Sequence, residues 1–229
     1  MQKEFAFPET VWYIRGKGVI TMSKLTGKTM VALGDSLFYG HKLGTEHTWL
    51  ALLAEEHGMT VFNHGINGNT MAYVEGASEP MCRRFRDMED ADYVVVLGGA
   101  NDRNQNVPMG PFDSHDEKTF IGALRILIEG LIEKYPKARI LFMTNYNRRP
   151  KNDIGLSDRD YVDAMLAITA EYSIPCFDNY RRLGISFQNP AHMEWMDEGM
   201  VREGKPNLHF SAEAYRWILP KYEQLILSL

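Results

Sequence analysis

Apolar residues in this chain come in short blocks that switch between two rhythms. Thr29-Met30-Val31-Ala32-Leu33 and Thr60-Val61-Phe62 are compact runs of the kind strands make, and between them Thr48 to His57 spaces its apolar residues as a helix does. Asp92-Tyr93-Val94-Val95-Val96-Leu97 is β-branched without polar alternation, which predicts a central parallel strand covered on both faces. Arg139 to Met143 predicts a fourth strand and Ile174-Pro175-Cys176-Phe177 a short last one. Ser114 with Glu117 has the form of a capping box and predicts a helix to about Lys134. Ser157 with Asp160 predicts another to about Glu171, and Ser211 as N-cap a final one to about Leu227. Five strands alternating with helices predict an α/β fold on an open, mostly parallel sheet, with ligand chemistry in the loops at the strands' carboxyl ends.

The first 28 residues stand outside this rhythm. Val11 to Ile14 and Val19 to Thr21, around Arg15-Gly16-Lys17-Gly18, read as a β-hairpin. The expected organisation is therefore an N-terminal arm or hairpin over 1–28, packed on a single domain over 29–229. The hairpin either covers an edge or the bottom of the sheet or forms a dimer contact, which leaves a homo-oligomer open. With 229 residues, 45% hydrophobic and 24% charged, the chain has the composition of a globular protein. A net charge of −5 provides no basic stripe for a phosphate backbone, so no nucleic-acid partner is expected. The start of the chain lacks the apolar run of a signal peptide and no later stretch is apolar enough to span a bilayer, so the expectation is a cytoplasmic protein with no membrane partner. Cys82 and Cys176 read as reduced, buried thiols. The seven histidines avoid zinc-binding spacings, and neither a metal nor a cofactor is expected.

Four stretches carry candidate chemistry. Gly34-Asp35-Ser36-Leu37 follows the first predicted strand and puts a hydroxyl at its carboxyl end, although a serine there is also an ordinary N-cap or turn residue. Asn63-His64-Gly65-Ile66-Asn67-Gly68-Asn69-Thr70 follows the second; its glycines admit positive φ and close approach of a backbone N–H, but its spacing matches no nucleotide-binding motif. Gly98-Gly99-Ala100-Asn101-Asp102 follows the third and presents an amide, or an Asx-type turn. His209, in Pro206-Asn207-Leu208-His209-Phe210-Ser211, sits on a loop before the last helix. A hydroxyl, a backbone donor, an amide and an imidazole on neighbouring loops are the parts that acyl transfer requires.

With its serine block, Gly block, GxND block and C-terminal His block in this order, the sequence resembles the SGNH hydrolase superfamily of GDSL-type esterases and lipases, from Gly34 to about Tyr215. The resemblance implies a three-layer α/β/α, flavodoxin-like sheet. It also implies Ser36 as nucleophile, His209 as general base, and an oxyanion hole of Ser36 N–H, Gly68 N–H and the Asn101 side chain. In the family pattern an Asp stands three residues before the histidine; here that position is Pro206, so the third triad member is unassigned, with Asn207, Glu203 and Asp197 as nearby polar candidates. The expected partner is a small-molecule acyl ester, acetyl first, with an acetylated carbohydrate ahead of a long-chain lipid. An acyl thioesterase using the same site, or a weakly active or non-catalytic ligand-binding member, are the alternatives. Phe38, Tyr39, Met71, Tyr73, Met193, Trp195 and Met200 could line an acyl pocket or fill the core, and Arg103, Arg148 and Arg149 could meet an anionic group or stay solvated.

Overall fold

Five strands, β3 (Thr29–Gly34), β4 (Thr60–Gly65), β5 (Tyr93–Gly98), β6 (Arg139–Thr144) and β7 (Cys176–Phe177), form one fully parallel sheet in the order β4-β3-β5-β6-β7. The computed structural model describes residues 12–14, 19–21, 23–146, 150–185, 190–196 and 209–229. Ahead of the sheet, β1 (Trp12–Ile14) pairs antiparallel with β2 (Val19–Thr21), the two strands expected of the N-terminal hairpin.

Strand periodicity sorts the core into two layers. Met30, Ala32, Tyr93, Val95, Leu97, Leu141 and Met143 face one side, where Trp49, Leu50 and Leu53 of α2 (Trp49–His57) and the buried face of the C-terminal helix Ala212–Ser228 cover them. Val31, Leu33, Val94, Val96 and Phe142 face the other, covered by Met81 and Cys82 of α3 (Met81–Arg84), by α5 (Phe120–Lys134) and by α6 (Asp158–Glu171). This is the expected three-layer α/β/α sandwich. Cys82 is buried as expected while Cys176 is half-buried, and desolvation pushes both thiols up to about 12. Among the described residues no helix is long and apolar enough to cross a membrane.

Two expectations change. The helix expected from Ser114 begins at Phe120: Ser114 Oγ accepts from Asp116 N and Asp116 Oδ1 from Lys118 N, so these polar side chains close local turns. Thr119 is the cap, its Oγ1 accepting from Gly122 N at 3.2 Å. Only a glycine fits at 122, where a Cβ would lie 2.2 Å from Asp116 O. The second strand runs three residues further than its apolar run, because Asn63, His64 and Gly65 pair with Ala32, Leu33 and Gly34.

That extension brings Gly65 against α1 (Ser36–Tyr39), the short helix after β3. A Cβ on Gly65 would sit 2.2 Å from Tyr39 N, and Asn63 Nδ2 donates to Phe38 O at 2.6 Å, so α1 rests directly on the end of β4. A methyl at this backbone contact must push α1 away. Gly65→Ala is expected to destabilise the protein by about 2 kcal/mol and to lower turnover with it; a urea denaturation midpoint equal to wild type would contradict the contact.

Candidate active site

The site lies where chain order reverses. From β3 the chain passes first to β4 on one side and then across to β5 on the other, which opens a crevice beyond the carboxyl ends of β3 and β5. Ser36 opens α1 there. Asp35 caps that helix, its Oδ1 accepting from Leu37 N at 3.0 Å, and Gly40, with φ +70°, ends it. Gly34 permits the tight turn, since a Cβ there would be 2.5 Å from the Phe38 ring.

His209 Nε2 lies 2.9 Å from Ser36 Oγ. Several contacts hold the histidine's segment. Phe210 bridges to Met196 and stacks on Tyr146 with ring centroids 4.6 Å apart, and Ser211 caps the C-terminal helix Ala212–Ser228 by accepting from Ala214 N. The Tyr215 hydroxyl then donates to Leu37 O at 2.7 Å, joining the helix after the histidine to the helix of the serine.

The other two residues selected from sequence complete the crevice. Gly68 holds φ +73°, and its carbonyl accepts from Gln105 Nε2 at 3.1 Å. Asn101 lies on α4 (Ala100–Asn104), launched by Gly99 at φ +98°. Its Nδ2 donates to Asn69 O at 3.0 Å and reaches Asp35 Oδ2 at a longer 3.3 Å. Asp35, next to Ser36, the 66–70 loop and Asn101 thus form one bonded cluster beside His209. Pro206, Asn207, Glu203 and Asp197 lie outside the described residues, as do Arg148, Arg149, Met200 and the side chain of Met193.

Of the proposed pocket residues, Phe38 and Met71 are core side chains, fully buried. Tyr73 lies under the Arg83 guanidinium, 4.4 Å from its ring centroid, and Trp195 packs on Trp217. Tyr39 is exposed. Arg103 turns to Asn104 Oδ1 and Pro150 O. Glu56, His57 and Glu223 are the described residues whose ligand atoms come close enough to share a metal; they sit at the end of α2 that leads into the start of β4, away from the strands' carboxyl ends, where His57 is bonded to Ser23 and Glu223.

Two scaffold residues escaped the sequence reading. Arg84 donates through Nε to Asn69 Oδ1 and through Nη2 to Gly34 O, both at 2.9 Å, so one guanidinium ties the serine turn to the 66–70 loop. Burial pulls its pKa down to about 10, and the neighbouring Asp35 charge opposes that pull. In the run Arg83-Arg84-Phe85-Arg86 nothing distinguishes this arginine from a solvated one. Asp102, fully buried, accepts from Met71 N and Ala72 N at 2.9 to 3.1 Å and so fixes the far end of the same loop. Its place beside Asn101 was the available signal.

The model of the GDSL-like lipase/acylhydrolase family matches residues 32–217. Among solved structures, a Lactobacillus plantarum protein is similar at 28% identity with a TM-score of 0.78, covering 89% of this chain and 98% of that one. A carbohydrate acetylesterase family member from Sinorhizobium meliloti matches at 18% identity and TM-score 0.55 (88% and 100% covered). The M. smegmatis aryl esterase matches at 16% and 0.63 (89% and 100%). No curated relative matches the chain.

Burial holds the Asp102 carboxyl up at about 6 against its ordinary 3.8, despite the N–H groups that favour its charge. Between those values the folded state binds the proton that the unfolded state has released, so this group's contribution is full below about pH 4 and is lost as pH rises through about 6. Asp102→Asn turns an NH2 toward backbone donors and should cost about 2 kcal/mol. Its stability gap to wild type should widen as pH falls from 7 to 4.5; denaturation midpoints that stay parallel would contradict the assignment.

Proposed function

The chain belongs to the GDSL-like lipase/acylhydrolase family and is an ester-bond hydrolase, and from that premise we propose that it is a serine esterase acting through a Ser36 acyl-enzyme with His209 as general base. The observation that carries this reading is the 2.9 Å approach of His209 Nε2 to Ser36 Oγ at the crevice. An imidazole at that distance can take the hydroxyl proton as Oγ attacks an ester carbonyl, then return it to the departing alcohol. Water repeats the sequence on the acyl-enzyme: His209 accepts its proton, hydroxide adds to the acyl carbonyl, and Ser36 leaves protonated.

Charge on the carbonyl oxygen is met by the N–H groups of Ser36 and Gly68 and by Asn101 Nδ2. Asn101 can swing from its longer contact with Asp35 to the oxyanion while keeping the bond to Asn69 O. Arg84 and Asp102 hold the donors' backbone in place before substrate arrives, which makes the hole preorganised.

The substrate proposed is a small acyl ester, acetyl first, on a polar alcohol such as a sugar. Asn67 and Gln105 make a polar rim along the loop that carries Gly68, suited to hydroxyl groups rather than an acyl chain. The similarity to a carbohydrate acetylesterase family member points the same way.

With p-nitrophenyl acetate, Ser36→Ala is expected to fall to the buffer rate and His209→Ala to lose on the order of a thousandfold in kcat. Asn101→Ala should lose about a hundred- to a thousandfold and remain measurable. Wild-type activity should decline in acid as the base is protonated. A fluorophosphonate should label wild type and not Ser36→Ala; equal hydrolysis by all four proteins, with no labelling, would end the proposal.

A further inference from the structure

An imidazole serves as base only when its Nε2 is aimed at the nucleophile, and in a triad a carboxylate on the other ring nitrogen does the aiming. Here the residue three before His209 is Pro206, whose side chain accepts no hydrogen bond. The structure shows a contact on the face of the His209 ring. His41 lies face to face with His209, centroids 4.2 Å apart and planes 29° from parallel. A ring packed at that distance blocks rotation of the His209 plane, because turning it would drive its edge into the His41 face.

His41 is itself held in place. Its backbone N–H donates to Ser36 O at 3.0 Å, and its ring Nδ1 is 3.1 Å from Asn67 Oδ1, in the loop that carries Gly68. The turn that delivers it is built tightly: Gly40 has φ +70° and a Cβ there would meet Gly44 O at 2.3 Å, while Lys42 also takes a positive φ, +65°. One residue therefore meets the carbonyl of the proposed nucleophile through its backbone, and the ring of the proposed base and the proposed oxyanion loop through its side chain.

We propose that His41 is a positioning residue for this esterase, holding the His209 imidazole plane by stacking. The inference rests on the reading of Ser36 and His209 as nucleophile and base. It assigns His41 no proton transfer and no contact with the reacting atoms. What it supplies is the orientation term of the rate, which enters kcat rather than substrate affinity.

The test compares His41→Ala, which removes the ring, with His41→Phe, which keeps a flat ring without its nitrogens. In p-nitrophenyl acetate hydrolysis His41→Ala should lose about tenfold in kcat with KM within about twofold of wild type, and His41→Phe should recover most of that loss. Fluorophosphonate labelling of Ser36 should slow in His41→Ala by a similar factor, since it needs the same proton transfer. Thermal melts of both variants should match wild type, as His41 is only partly buried at the surface of the crevice. Wild-type kcat in His41→Ala, equal losses in the two variants, or a loss confined to KM would each overturn the proposal. Ser36→Ala run alongside keeps the two readings apart: if it turns over like wild type the esterase mechanism fails, whereas if it is dead only the His41 results decide the inference.

Discussion

The register of β3 with its two neighbours is the constraint on which the rest depends. Gly34 pairs with Gly65 on one side and with Leu97 on the other, so three strands end at nearly one level. Whatever follows each strand must then emerge into the same crevice. Ser36 follows two residues after Gly34, Gly68 three after Gly65, and Asn101 three after Gly98. A slip of one strand by two residues would keep its core face but move its loop about 7 Å along the sheet and dissolve the cluster. Buried valines and methionines on both faces specify the strands, and the backbone contact between Gly65 and α1 sets how close the first helix may come.

Above that register stands a polar scaffold that a stability argument alone would not produce. Arg84, Asp35 and Asp102 are charged groups withdrawn from water, and withdrawing them costs free energy even when each finds partners. Their partners are backbone atoms and amides of the crevice: Gly34 O, Leu37 N, Asn69, Met71 N and Ala72 N. Each bond holds a segment that carries, or adjoins, a group proposed to act on the ester. Spending burial on such bonds makes sense for donors that must stand ready before charge develops, since reorganising them during the reaction would raise the barrier.

Much of this was legible in the sequence, for physical reasons that differ by element. The strand Tyr93–Gly98 announced itself because a strand covered on both faces has no polar positions to interrupt it. The end of β4 did not, because Asn63, His64 and Gly65 are polar or small; they belong to the sheet through pairing with β3, which no local pattern records. Ser114 misled because a serine followed by acids serves a turn as well as a helix start, and the deciding contact, Gly122 against Asp116 O, is between residues the capping pattern does not consider. Ser36, Gly68, Asn101 and His209 were readable because their blocks recur in order, whereas Arg84 was hidden in a run of arginines whose exposures differ only once the chain is folded.

The proposed base is the member of the site that the sheet does not place. Ser36, Gly68 and Asn101 all emerge from adjacent strand ends, but His209 belongs to the segment before the C-terminal helix, far from them along the chain. It therefore needs tethers of its own, and they come from side chains. Tyr215 O–H to Leu37 O joins the C-terminal helix to α1, Phe210 stacks on Tyr146, and His41, in the role proposed for it, holds the plane of the ring. The first two anchor backbone and would serve a histidine in any rotamer. Of these three the last acts on the imidazole itself, and it comes from the same turn as the proposed nucleophile, so a shift of that turn carries both reacting groups together.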